Sequence, residues 1–316
     1  MVLKRAKQFA RALLEKEASR RRLATLRDTA PEVTKAQLRA GLEQLGIVAG
    51  DMLMLHSSLK SLGYVEGGPQ AVIDALIEAV GPSGTVVIPT YWQPGGTILA
   101  TCNIPGYVFD PRRDDTNLGR LPSEFLRRPG IERSIHPTHS VSAFGPAARH
   151  VTEGHHRAPS IFGEGSPWQR CHAANAKVLG LGISMGPVTI YHMLEDMLLD
   201  AFPLPVRMQR TWRLACKDWD GNDLTVPVVP LDPAFMPRRI DSPGRDDLRR
   251  YFWTEFENAG LLRSGQVGQA TGWFIPAQPF LSHLGRLLGE GITIYSTPEQ
   301  LAARPPWRAQ PTDRSE

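Results

Sequence analysis

Two nearly unbroken apolar segments, 52–55 and 85–90, bracket a single amphipathic helical pattern, and this constrains the fold more than any other feature of the chain. A strand that is apolar without alternation must be buried on both faces, as strands in the middle of a parallel sheet are. Between the two runs, Val72, Ala75, Leu76, Ala79 and Val80 recur at helical spacing over 69–80, and Gly81-Pro82-Ser83-Gly84 turns the chain. Strand, helix, strand in that order predicts two parallel strands joined by a crossover helix.

Further elements can be read around that unit. Thr34 and Gln37 form a capping-box pattern with Val33 and Leu38 placed as a staple, Leu38, Leu42 and Leu45 make one face, and Gly46 stops the helix. Residues 91–140 are rich in Pro, Gly, Asp and Arg, with one short helix near 121–128, and so long an irregular stretch is expected to be functional or disordered. Strands follow at 141–144 and 178–183, then a helix over 188–199. A hairpin spans 211–229 around Asp220-Gly221, where Trp212, Leu214 and Cys216 alternate. The fold class expected is α/β: a single domain over 31–302, with a central, largely parallel sheet flanked by helices and a β-hairpin extension. Pro305, Pro306 and Pro311 mark 303–316 as a disordered tail.

The net charge of +4 is concentrated at one end: residues 1–28 carry nine basic and three acidic side chains, a local +6. Leu3, Ala6, Phe9 and Leu13 recur near a helical period there, predicting a basic amphipathic helix over 1–30. Such a helix packs on its own domain or on a homodimer mate, or lies on an anionic membrane surface. No nucleic-acid partner is expected, because aromatic residues do not interleave with the charges. No membrane span or signal peptide is apparent, and the three dispersed cysteines, Cys102, Cys171 and Cys216, suit reduced thiols in the cytoplasm.

Nine histidines are present, five of them (His136, His139, His150, His155, His156) within 136–156. His192 stands apart, on the helix that follows strand 178–183, and Glu195 shares its helix face three residues on. A carboxylate beside an imidazole raises its basicity and fixes its tautomer, which suits a general base, although a surface His–Glu pair has the same spacing. The position beyond a parallel strand's C-terminal end favours the base, since open α/β sheets hold ligands there. A second constellation, His56-Ser57-Ser58-Leu59-Lys60-Ser61-Leu62-Gly63, also follows a strand; small hydroxyls and glycine there expose amides able to hold a phosphate or a pantetheine amide.

Four segments resemble, in order and in register, the aminoglycoside 3-N-acetyltransferase family: the run from Gly50 to Thr90, Arg133–Pro146 with its His-Pro-x-x-Ser segment, the Ser-Pro loop Gly163–Trp168, and Lys177–Asp196 with Thr-x-x-His-x-x-Glu. The resemblance covers about 33–300. It implies a fold distinct from the commoner GNAT acetyltransferases, whose Arg/Gln-x-x-Gly-x-Gly/Ala loop is absent. It implies acetyl-CoA as co-substrate without a metal, and a small-molecule amine as acceptor. On the matching positions, Ser57, Ser58, Leu62, Gly63 and Ser140 would line the acyl-CoA channel. Thr189, His192 and Glu195 would be catalytic, and His136 either a second catalytic candidate or a loop-fixing histidine. The chain departs from the family at Ser184-Met185-Gly186-Pro187-Val188, where antibiotic-modifying members carry an acidic loop, so an amino sugar is as good an acceptor as an aminoglycoside.

Three rivals remain. Gly182-Ile183-Ser184-Met185-Gly186 satisfies the nucleophile-elbow pattern of a serine hydrolase. His136, His139, His155 and His156 are a candidate zinc set, though without helical i, i+4 spacing. A relative that binds acyl-CoA without turnover is the third.

Overall fold

The computed structural model describes residues 31–307; the basic segment and its expected helix, and residues 308–316, lie outside the described residues. In chain order the strands are β1 (Glu32–Val33), β2 (Met52–Ser57), β3 (Tyr64–Val65), β4 (Thr85–Pro89), β5 (Val108–Phe109), β6 (Glu132–Arg133), β7 (Val141–Phe144), β8 (Lys177–Leu181), β9 (Trp212–Lys217), β10 (Asp223–Val228), β11 (Arg263–Val267) and β12 (Ala270–Pro276). Seven form one sheet in the order β11-β12-β8-β2-β4-β7-β6. The two apolar runs, β2 and β4, are neighbours at its centre, and the helix Gly68–Val80 is their crossover.

Both faces of that centre are covered, which is why the runs do not alternate with polar residues. Leu53 and Leu55 belong to one core with Val86, Ile88, Leu179 and helix residues Leu38, Leu42 and Leu76. Met54, Val87 and Val178 point the other way, into a core built from Trp168, Phe256 and Phe280. Gly180 falls on this second face, and a Cβ there would sit 2.2 Å from the Trp273 ring, so only glycine lets that indole lie across the strand. Burying each such leucine contributes about 2 kcal/mol.

The parallel character is confined to β8-β2-β4; the four outer pairings, β4 with β7, β7 with β6, β8 with β12 and β12 with β11, are antiparallel. This decides where the site forms. Because β7 runs against β4, with Pro89 opposite Val141 and the Thr90 N–H donating to the Ser140 carbonyl at 3.0 Å, the beginning of β7 lies beside the C-terminal ends of the parallel strands. The hairpin appears as expected, β9 with β10, and β5 adds to it as a parallel third strand.

The stretch 91–140 is ordered by one buried guanidinium. Arg133 donates to the carbonyls of Thr90 (2.7 Å), Asp115 (3.1 Å), Pro111 (3.3 Å) and Asp114, and lies over the Phe109 ring. A segment too polar to build a core of its own is thereby tied to the sheet through its backbone acceptors. The part of the expected tail that is described, 303–307, packs on the domain. Arg304 donates to the buried carboxylate of Glu255 at 2.5 Å and to the Tyr251 hydroxyl at 2.8 Å, and the Trp307 N–H reaches Glu255 at 2.5 Å. A buried carboxylate must be paired, and these donors hold 304–307 against the helix Asp246–Asn258.

Candidate active site

A cavity of about 550 Å³ opens at the C-terminal edge of the parallel strands. His56 and Ser57 from the end of β2, Tyr91 beyond β4, His139 before β7, and Thr189 and His192 beyond β8 all reach its wall. Leu99 comes from the short helix Ile98–Cys102, Met236 from the 3-10 turn Pro233–Arg238, and Leu118 from a loop.

The chain beyond β8 makes a single 3-10 turn, Thr189–Tyr191, before the helix His192–Leu198 begins. His192 Nδ1 lies 2.8 Å from Glu195 Oε1, which also accepts the Tyr295 hydroxyl at 2.7 Å. With Glu195 accepting, Nδ1 carries the proton and Nε2 is left as the nitrogen available to the cavity. Arg207 Nη2 sits 3.2 Å from Glu195 Oε2 and 2.6 Å from Asp196 Oδ1, and Asp196 in turn accepts the Phe162 N–H. Burial alone would push the Glu195 carboxyl up, but His192, Arg207 and the Tyr295 hydroxyl together draw it below the usual carboxylate value. Glu195 is therefore a buried, charged acceptor behind an imidazole that faces a cavity.

Two other imidazoles share the wall. His56 Nε2 is 3.4 Å from Thr189 Oγ1, which accepts the Trp168 indole N–H at 2.8 Å. Burial draws His56 down to about 4, so it is neutral at pH 7. His139 packs against Tyr91 and Phe162, and burial, aided by the neighbouring His192, holds it well below the ordinary value. Phe162 lies between the rings of His139 and His192, at centroid distances of 5.2 and 5.4 Å.

Of the residues expected to line an acyl-CoA channel, Ser57 reaches this cavity and Ser58, Leu62, Gly63 and Ser140 do not. The Ser58 hydroxyl accepts from Ser61 at 2.9 Å, and Leu62 is buried in the core with Val33 and Leu38. Gly63 has φ +93° and would place a Cβ 2.7 Å from Gln269, so backbone geometry explains that glycine. Ser140 is fully buried between the Thr90 carbonyl and Arg133. His136 is likewise off the cavity wall; its Nδ1 accepts the backbone N–H groups of His139 (3.0 Å) and Thr138 (3.3 Å), closing the His-Pro turn, and its ring stacks on His155. Thr189, His192 and Glu195 are brought together as the motif implies.

The rival arrangements do not assemble. Ser184 lies in a separate depression with Asp246, Arg249 and Trp253, its hydroxyl accepting from the Gly186 N–H, while His283 is committed to Glu255 at 2.9 Å. His155 has both ring nitrogens engaged, by Ser134 and by the Ile161 carbonyl, which removes it from a zinc set. Among the described residues no three His, Cys, Asp or Glu side chains converge as a metal site.

Sequence reasoning left out Tyr91, Arg207, Arg239, Asp241 and Tyr295. They lie up to a hundred residues from the motif they serve, and no local periodicity points to them. His139 had a signal, as a member of the 136–156 histidine cluster, but its position at the site depends on the antiparallel β7.

The chain is similar to one group of known proteins. Residues 54–288 match the family profile described as aminoglycoside 3-N-acetyltransferase. The aminoglycoside N(3)-acetyltransferase IX of Micromonospora chalcea is 31% identical over 266 residues, 78% of this chain and 90% of that protein. An aminoglycoside N(3)-acetyltransferase III of Salmonella sp is 37% identical over 259 residues, 79% of this chain and 89% of the relative. The crystal structure of aminoglycoside acetyltransferase AAC(3)-Xa superposes with a TM-score of 0.71 at 30% identity, covering 88% of this chain and 99% of its own. AAC-IIIb in a binary complex with CoASH superposes with a TM-score of 0.69 at 26% identity, over 84% of this chain and 100% of its own. AAC-VIa bound to sisomicin does so with 0.68 at 27% identity, over 82% of this chain and 98% of its own.

Proposed function

The chain belongs to the aminoglycoside 3-N-acetyltransferase family, and from that premise we propose that it transfers the acetyl group of acetyl-CoA to a primary amine of an aminoglycoside or amino sugar, with His192 as general base. The observation that carries this reading is the 2.8 Å contact between His192 Nδ1 and the buried, charged Glu195, which leaves the other ring nitrogen at the cavity.

Acetyl-CoA supplies an activated thioester. His192 Nε2 takes the proton of the attacking amine as the new C–N bond forms and the C–S bond breaks, and the proton is then available to the departing thiolate. Glu195 stabilises the imidazolium formed in that step, and Tyr295 and Arg207 keep Glu195 in place and ionised. The Thr189 oxygen accepts from Trp168, and its own hydrogen can turn to His56 or to a carbonyl oxygen that becomes negative during attack. Ser57 is the expected channel residue that reaches the cavity, and His136 Nδ1 holds the His-Pro turn.

The cavity lies within the size range of small-molecule sites. The relatives crystallised with CoASH and with sisomicin support the pairing of a CoA thioester with an amine. Among the described residues no helix is long and apolar enough to cross a membrane, and Cys102, Cys171 and Cys216 are free and buried, which supports the cytoplasm as the site of action. The test is thiol release from acetyl-CoA across a panel of aminoglycosides and amino sugars. Amine-dependent release that His192→Ala abolishes is expected. Binding of acetyl-CoA with no release on any amine would favour a non-catalytic relative.

A further inference from the structure

The cavity wall carries one carboxylate, and that carboxylate is already occupied. Among the described residues lining it, Asp241 is the only acidic side chain and Arg239 the only guanidinium or ammonium. Arg239 Nη2 donates to Asp241 Oδ2 at 2.6 Å and its Nε donates to Oδ1, so both carboxylate oxygens face the same guanidinium. The three histidines on the wall add no negative charge, and Glu195 is reached only through His192. Gly186, Pro187 and Val188, from the loop that lacks acidic residues, add none either. Most of the remaining wall is apolar, including Leu99, Leu118, Phe162 and Met236.

An ammonium moved from water to such a wall without a carboxylate partner loses hydration and gains little in return. A compound with one amine brings a single ammonium, which gives one proton to solvent before the neutral amine attacks and yields its next to His192. A compound with four brings three more that find no free carboxylate among the described residues of the wall. We infer that Arg239, by holding Asp241 in a bidentate pair, sets the acceptor class: a molecule with one primary amine on an otherwise uncharged ring with an apolar face, such as a deoxyamino sugar, in preference to a polycationic aminoglycoside. This rests on the acetyl-transfer reading above and narrows it.

The experiment compares kcat/KM for the methyl glycoside of 3-amino-3,6-dideoxyglucose with that for kanamycin, in wild type, Arg239→Gln, Asp241→Asn and the double variant. Wild type should prefer the mono-amine. Arg239→Gln frees a carboxylate in the wall and should raise the kanamycin to mono-amine ratio about tenfold, the effect of one unit charge at close range, with the gain shrinking as salt is added. The gain should vanish in the double variant. Asp241→Asn alone leaves Arg239 unpaired and should lower the ratio below wild type, a prediction that stands if Arg239→Gln does not fold. Wild-type preference for kanamycin, a ratio unmoved by either single variant, or no turnover of the mono-amine overturns the inference. Turnover of kanamycin alone would leave the acetyltransferase reading intact. Absence of acetyl-CoA binding by thermal shift, together with absence of thiol release on every amine, would instead remove that reading.

Discussion

Lowering the pH should unfold this protein through its buried imidazoles. Burial draws His56 down to about 4 and His155 to about 3, and holds His136 and His139 well below 6.5. The bonding demands neutrality as well: His136 Nδ1 accepts two backbone N–H groups, which it could not do once protonated. In the unfolded chain each of these rings takes up its proton near pH 6.5. Between that value and the folded-state values the unfolded state binds more protons, so stability is fully present above pH 6.5 and falls as pH drops. Each histidine contributes at most about 1.4 kcal/mol per pH unit, hence roughly 2 kcal/mol lost by pH 5 for the fully buried His155, and His136 and His139 add losses of the same sign. Losses of that order are a large share of the stability of a typical domain, about 5–15 kcal/mol, so the urea midpoint is expected to fall steeply between pH 6.5 and 5. Urea titrations followed by tryptophan fluorescence at pH 7.5, 6.0 and 5.0 measure the slope directly. His155→Gln should lower stability at pH 7.5 yet make the pH dependence shallower. A urea midpoint that stays constant from pH 7.5 to 5.0 would refute the assignment of these rings as buried and neutral.

His192→Ala should lower turnover by roughly a hundred- to ten-thousand-fold with acetyl-CoA affinity little changed, since the imidazole acts on the amine, and steady-state kinetics with the binding constant measured separately checks both halves. Ser184→Ala should be close to wild type, and an inactive, folded Ser184→Ala would return the hydrolase reading. Acetyl-CoA should raise the melting temperature by binding the native state, and Ser57→Phe, which fills the wall beside His56, should abolish the shift while leaving the circular dichroism spectrum unchanged. Arg304→Ala leaves the buried Glu255 short of its closest charged partner and should cost about 3 kcal/mol in a chemical denaturation curve; no change would mean that Arg286 and His283 suffice.

What the sequence determined by itself is local. The capping box at Thr34 and Gln37 forms as written, the apolar runs of β2 and β4 are the sheet's central strands, and the Asp220-Gly221 hairpin closes in the expected place. Each depends on backbone and side-chain preferences within a dozen residues, which composition and period record. The Thr189–His192–Glu195 grouping was legible for the same reason, because one turn of helix sets its spacing. Tertiary structure decided everything that depends on strand direction and on partners distant in the chain. An apolar run reads the same in either direction, so only the packed sheet reveals that β7 is antiparallel and delivers His139 to the cavity. Ser58, Leu62, Gly63 and Ser140 follow the motif in order, yet the packed fold sets them off the wall of this cavity, which no spacing in the sequence records. Tyr295 and Arg207 complete the site from segments outside its motif, because a buried carboxylate must find donors wherever the fold supplies them, and no spacing in a sequence encodes that requirement.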